Sequence, residues 1–204
     1  MAIAGFIGFA VIVNAQAALN LMAKDVFSVF SSYGFTVIPL FVLMGQVAYN
    51  AGIAKRLFDT SYKFIGHIPG GLALATVAGA TVFKAICGSS PATAATFASV
   101  AVPEMDRYGY DKRLSTGAVA SVGTLGILIP PSVTLIVFGI ITEQSIGRLF
   151  LGGIVPGLII AVLFALTIVV WCRIDPALGP KGARSTWKER LASLPEVVWV
   201  LLVF

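Results

Sequence analysis

Charged side chains are scarce in this chain. Its 204 residues include 14 Lys and Arg and 9 Asp and Glu, so only 11% are charged and 58% are hydrophobic. A soluble domain carries roughly 25% charged residues, and so few charges cannot cover a water-exposed surface on a body this apolar. That excludes an ordinary cytosolic enzyme and a disordered tail. Cysteine is as scarce: Cys87 and Cys172 both lie in or beside apolar segments. This excludes a disulfide scaffold and predicts two buried, unpaired thiols with no second Cys or His at metal-ligand spacing. The single histidine, His67, sits in a loop beside Pro69. No phosphate-cradling loop or zinc motif is present. No basic stretch precedes the first apolar run, which argues against a cleaved signal peptide. The net charge of +5 arises from residues scattered between apolar runs, not from a patch, so it points to no nucleic-acid partner.

What is abundant is long apolar sequence, with mean hydropathy of +0.96. An integral, all-α membrane protein follows. Residues 2–23, 34–53 and 149–172 are each about 20 residues long, enough to cross a hydrocarbon core of about 30 Å. Residues 70–102 are too long for this: one straight helix would rise about 50 Å. The middle of this segment reads Cys87-Gly88-Ser89-Ser90-Pro91, a concentration of turn residues. Two readings compete, a long kinked span and a re-entrant hairpin that enters and leaves on one side. Charge distribution separates them. With a hairpin, Lys55, Arg56, Lys63, Arg107, Lys112, Arg113, Arg173, Lys181, Arg184, Lys188 and Arg190 share one side, and only Lys24 and Arg148 lie opposite. The hairpin reading prevails, and the crowded side is the expected cytoplasmic one.

Residues 114–142 hold a second irregularity, Gly123-Thr124-Leu125-Gly126-Ile127-Leu128-Ile129-Pro130-Pro131-Ser132. The two prolines lack N–H groups, and each pushes its predecessor away from helical geometry. The sequence therefore predicts two half-helices joined by an unwound stretch, which survives at membrane depth only when buried or lining a watery cavity. Residues 173–194, with Pro176, Gly179, Pro180 and Gly182, read as a cytoplasmic linker. Residues 195–204 read as the start of a helix that stops before it can cross.

A hairpin and a broken helix in one chain form a matching pair, and discontinuous helices are how secondary transporters build ion and substrate sites. Candidate contributors are Gly88, Ser89, Ser90 and Thr93 at the hairpin tip, facing Gly123, Thr124, Gly126 and Ser132 at the break. Of these, Ser89, Ser90, Gly123 and Gly126 are the candidate Na⁺ ligands. Hydroxyls in membrane helices also bond their own backbone, so each has a purely structural alternative. Lys84 lies inside the hairpin, where it serves the site, snorkels, or forms an ion pair. A passive channel or structural subunit is the alternative function. An intramembrane hydrolase built on Ser89 or Ser90 has no base in view.

Several blocks resemble one family, the large membrane (permease) subunit of tripartite ATP-independent periplasmic (TRAP) transporters. They are Ile38–Gly45, Gly66–Ala73, Cys87–Thr96, Val102–Met105, Gly123–Ser132 and Glu143–Gly147. The resemblance runs from about Gly5 to Gly157. It implies a multi-pass protein of a bacterial or archaeal cytoplasmic (inner) membrane, importing organic acids by Na⁺ symport and an elevator motion. It implies no enzymatic activity and no cofactor besides Na⁺ as coupling ion. Implied partners are a small membrane subunit and a periplasmic substrate-binding protein. Residues 1–172 would form the first of two inverted repeats, with the hairpin tip and the helix break, Pro130 and Pro131 now included, making an ion site and one wall of the substrate site. Lys84 stands where many members carry a small residue.

Overall fold

The computed structural model describes residues 2–31 and 33–203. Among them the chain is helical, without strands. It forms two compact units, Met1–Pro39 and Leu40–Phe204.

The first unit contains α1 (Ala2–Ile12) and α2 (Ala15–Ser31), which pack on each other. One helix was expected over residues 2–23, and the structure interrupts it at Asn14. There the side-chain amide oxygen accepts the Ala17 N–H at 2.7 Å. Asn is a strong N-cap because that bond satisfies a donor the new helix leaves free, so a polar residue inside an apolar run starts a second helix. Helix α3 (Tyr33–Asn50) straddles the division between the units and contains Pro39.

In the second unit, α4 (Ile53–Ile65) begins after Gly52, which has a positive φ of 70°. Helices α5 (Gly71–Cys87) and α6 (Ser90–Arg107) follow, joined by the two-residue turn Gly88–Ser89. They fold back on each other: Phe83 and Phe97, both fully buried, meet edge to face with ring centroids 5.8 Å apart. Aromatic rings prefer this arrangement because the positive edge of one meets the negative face of the other. Helix α7 (Lys112–Thr124) starts at Asp111, whose side chain accepts the Arg113 N–H at 2.7 Å. It tightens into a 3₁₀ turn at Leu125–Ile127, and the chain leaves helical geometry before α8 (Val133–Ile141). The interruption coincides with the Pro130-Pro131 pair, where two N–H groups needed for a continuous helix are absent.

Helix α9 (Ile146–Ile174) has 29 residues and is long and apolar enough by itself to cross a membrane. One face of it carries small buried residues, Gly153, Gly157 and Ala161, while Leu151 and Val155 stand 71% and 63% exposed. Small residues allow close helix approach in lipid, where packing replaces the hydrophobic drive. The exposed aliphatic stripe suits hydrocarbon, since a water-soluble surface seldom carries so long a contiguous apolar face.

The linker after α9 packs closely on the helix starts. Gly70 N–H donates to the Gly179 carbonyl at 2.9 Å, Asp111 N–H to Leu178 at 3.0 Å, and Gly182 N–H to Gly66 at 2.9 Å. The buried Tyr110 hydroxyl accepts the Leu72 N–H at 3.1 Å and donates to the Pro180 carbonyl at 2.9 Å. Burial pushes its pKa up to about 12. The final helix, α10 (Trp187–Val203), starts eight residues before the expected 195. Its start is a capping box: Glu189 accepts the Thr186 N–H at 2.8 Å, and the Thr186 hydroxyl accepts the Glu189 N–H at 3.3 Å. This exchange satisfies two donors at once and holds the Glu189 carboxyl below its ordinary pKa.

Candidate functional site

The two irregular segments meet. Gly88 ends α5 with φ 39°, a left-handed conformation that favours glycine. That turn aims its carbonyl at the break, where it accepts the Val133 N–H at 3.3 Å. A side chain at Gly88 would stand 3.4 Å from the Pro131 carbonyl and 3.5 Å from Phe41 Cβ. On α3, Gly45 lies one turn beyond Phe41, and a methyl there would come within 2.8 Å of the Cys87 sulfur. The hairpin tip is thus wedged between α3 and the start of α8. Cys87 and Cys172 are both free and buried.

Ser89 is the N-cap of α6, its hydroxyl accepting the Ala92 N–H at 3.4 Å, with Pro91 in the first turn. Proline suits that position because the N–H it lacks would have no helical partner. Thr93 is fully buried and donates its hydroxyl to the Ser89 carbonyl at 3.0 Å. Ser132 is also fully buried: it caps α8 through the Leu135 N–H at 3.4 Å and donates to the Ile127 carbonyl at 2.8 Å. Two helix N-termini, those of α6 and α8, therefore lie at the junction, with the C-terminus of α5 beside them. These ends carry opposite partial charges, positive at the starts and negative at the finish.

The glycines of the break face the hairpin. A methyl at Gly123 would lie 3.2 Å from Ala94 Cβ. At Gly126 it would overlap the Lys84 amine and come within 2.5 Å of the Ser90 hydroxyl oxygen. Residues three apart share a helix face, which explains why 123 and 126 point together. Thr124 does not join them: it is exposed and bonds the Ser121 carbonyl at 2.7 Å. Pro130 and Pro131 are half-buried and form the non-helical wall of the break. Behind them, Gly157 of α9 closes against Ile129, where an added methyl would reach the side chain at 2.9 Å.

The side chain that did not figure among the candidate ligands is Lys84. It is fully buried and its Nζ has no hydrogen-bond partner. Its position four residues before Gly88 placed it in the hairpin, but the approach to Gly126 across the fold has no local signature. The polar groups offered here are oxygens: the Ser89, Ser90, Thr93 and Ser132 hydroxyls and backbone carbonyls. Hydroxyls that donate to backbone retain lone pairs, so the set suits a hard cation. Among the described residues, no three His, Cys, Asp or Glu side chains gather into a metal cluster.

A helical chain with an apolar surface and a helix long enough to cross a bilayer has the build of a membrane protein. The chain belongs to the family described as "Tripartite ATP-independent periplasmic transporter, DctM component", which it matches over residues 1–204. It is 39% identical over 186 residues to the C4-dicarboxylate TRAP transporter large permease protein DctM of Pseudomonas aeruginosa, covering 91% of this chain and 43% of that one. The same-named protein of Vibrio cholerae is 37% identical, with 93% and 42% covered. The ectoine TRAP transporter large permease protein TeaC of Halomonas elongata is 32% identical, with 98% and 47% covered. The chain thus spans less than half the length of these curated relatives. They are permease subunits of transporters, and the chain is not an enzyme.

Proposed function

We propose that this chain forms the first of two inverted repeats of a Na⁺-coupled permease that imports organic acids delivered by a periplasmic binding protein. The observation that carries this reading is the junction of two interrupted helices: the Gly88 carbonyl receives the Val133 N–H while Ser90 and Gly126 face one buried spot. Transporters place ions and substrates at such interruptions because helix starts favour anions and freed oxygens favour cations. In this reading α5 and α6 form a re-entrant hairpin. At 17 and 18 residues each rises only about 26–27 Å, short of a hydrocarbon core of about 30 Å. The hairpin tip and the break form a cation pocket and one wall of the substrate site, carried by an elevator motion in the inner membrane. The relatives named for C4-dicarboxylates support a carboxylate cargo. A small membrane subunit completes the complex, separate or fused; one relative is named an isethionate TRAP transporter permease protein DctMQ.

Uptake into proteoliposomes by the whole permease, its small subunit and its binding protein tests the reading. Accumulation that requires an inward Na⁺ gradient and the binding protein is expected. Downhill flux independent of both would favour the passive-channel reading and overturn symport.

A further inference from the structure

Among the described residues, Lys84 is a buried amine without a hydrogen-bond partner. It occupies the last turn of α5, has no exposed surface and makes no hydrogen bond through Nζ. A buried ammonium is costly unless something offsets it, so its position calls for a reason. Its arm crosses from the hairpin to the break and ends against Gly126, where even a methyl group would overlap both Nζ and Cε. The same missing methyl would stand 2.5 Å from the Ser90 hydroxyl oxygen. Amine and hydroxyl therefore converge on one spot, at the C-terminal end of α5 where the helix presents partial negative charge.

We infer that Lys84 is a tethered cation: its ammonium takes the position that the hairpin tip and helix break offer to Na⁺. This deepens the proposed function and rests on its reading of the pocket as a cation site. Two effects exclude a free ion. The amine fills the volume beside Gly126 and Ser90. Its charge also repels: at a spacing of about 4 Å and an effective dielectric of about 20, a second unit charge is disfavoured by about three orders of magnitude in affinity. Na⁺ coupling of the complete permease then falls to other sites.

Replacing Lys84 should expose the site. The whole permease with its small subunit is purified as wild type, Lys84→Ala, Lys84→Met and Lys84→Arg. Bound Na⁺ is counted with radioactive sodium, and thermal midpoints are compared in Na⁺ and K⁺ at equal ionic strength. Lys84→Ala should bind one more Na⁺ than wild type and gain a midpoint rise specific to Na⁺. Lys84→Met keeps the bulk and Lys84→Arg keeps the charge, so neither should gain an ion. Equal Na⁺ binding by wild type and Lys84→Ala overturns the inference. Should Lys84→Ala fold poorly, recovery in Na⁺ but not K⁺ supports it. Failure of both Lys84→Ala and Lys84→Ser to recover in Na⁺ overturns it. Uptake by the wild type reports separately on symport. Na⁺-independent uptake beside a gained ion in Lys84→Ala refutes coupling alone, whereas Na⁺-driven uptake without a gained ion refutes the tethered cation alone.

Discussion

Replacing Gly126 with alanine adds one carbon where the structure has no room for it. The new methyl overlaps the end of Lys84 and lies 2.5 Å from the Ser90 oxygen. Ser90 can rotate away, but the lysine arm is fully buried and cannot withdraw into solvent. Overfilling a packed interior in this way costs roughly 1–3 kcal/mol. Shortening the arm removes the cause, so Gly126→Ala combined with Lys84→Ala should recover most of that loss, a coupling of about 1–3 kcal/mol. The wild type, the two single variants and the double variant of the whole permease can be unfolded in mixed micelles by raising the SDS fraction, with tryptophan fluorescence as readout. Effects that add to within about 0.5 kcal/mol would mean the two residues do not touch, and would refute this account of the pocket.

Two further perturbations test the supports around it. Tyr110→Phe leaves the Leu72 N–H and the Pro180 carbonyl without their shared partner, costing roughly 1–3 kcal/mol, and should speed tryptic cleavage at Lys181 and Arg184. The same phenol sets an alkaline limit: its folded pKa of about 12 exceeds the ordinary 10.0, so its contribution is complete below pH 10.0 and is lost as pH rises through 12. A pH titration of stability that is steeper at the alkaline end for wild type than for Tyr110→Phe is the expected result. Ser132→Ala removes the cap of α8 and a bond to Ile127, costing about 1–2 kcal/mol. Faster hydrogen exchange at residues 133–136, with little change in α6, would show that the loss stays on the α8 side.

The parts of the fold legible in the sequence are those governed by neighbours along the chain. Gly88 through Pro91 marks a turn because those residues favour bends wherever they occur, and Pro130-Pro131 interrupts a helix for want of N–H groups. Two further local signals set helix starts: Asn14 caps α2 inside an apolar run, and Thr186 with Glu189 forms the capping box that starts α10 early. Adjacency in sequence groups Thr124 with its glycine neighbours, but one helical step of about 100° turns it away from the face shared by 123 and 126. The approach of Lys84 to Gly126 had no such signal. It depends on how α5 packs beside the α7 break, a matter of long-range contact that hydropathy and turn rules do not encode.

The linker bonds described above bear on how the pocket can open. Residues 178–182 tie to Gly66, Gly70 and Asp111, so the bases of α5 and α7 are strapped to one band of chain. At the opposite end the hairpin tip meets α8 through the Gly88 carbonyl and the Val133 N–H, while α8 itself packs on α9 and the 3₁₀ turn. In mechanical terms the hairpin and the first half of the broken helix form a clamped arm, and α8 is the free jaw. A hinge at the clamped end would have to break several bonds together, whereas parting Val133 from Gly88 breaks one long one and leaves Ser132 tied to Ile127. Parting of α8 from the hairpin tip is therefore the least bonded way to open this junction.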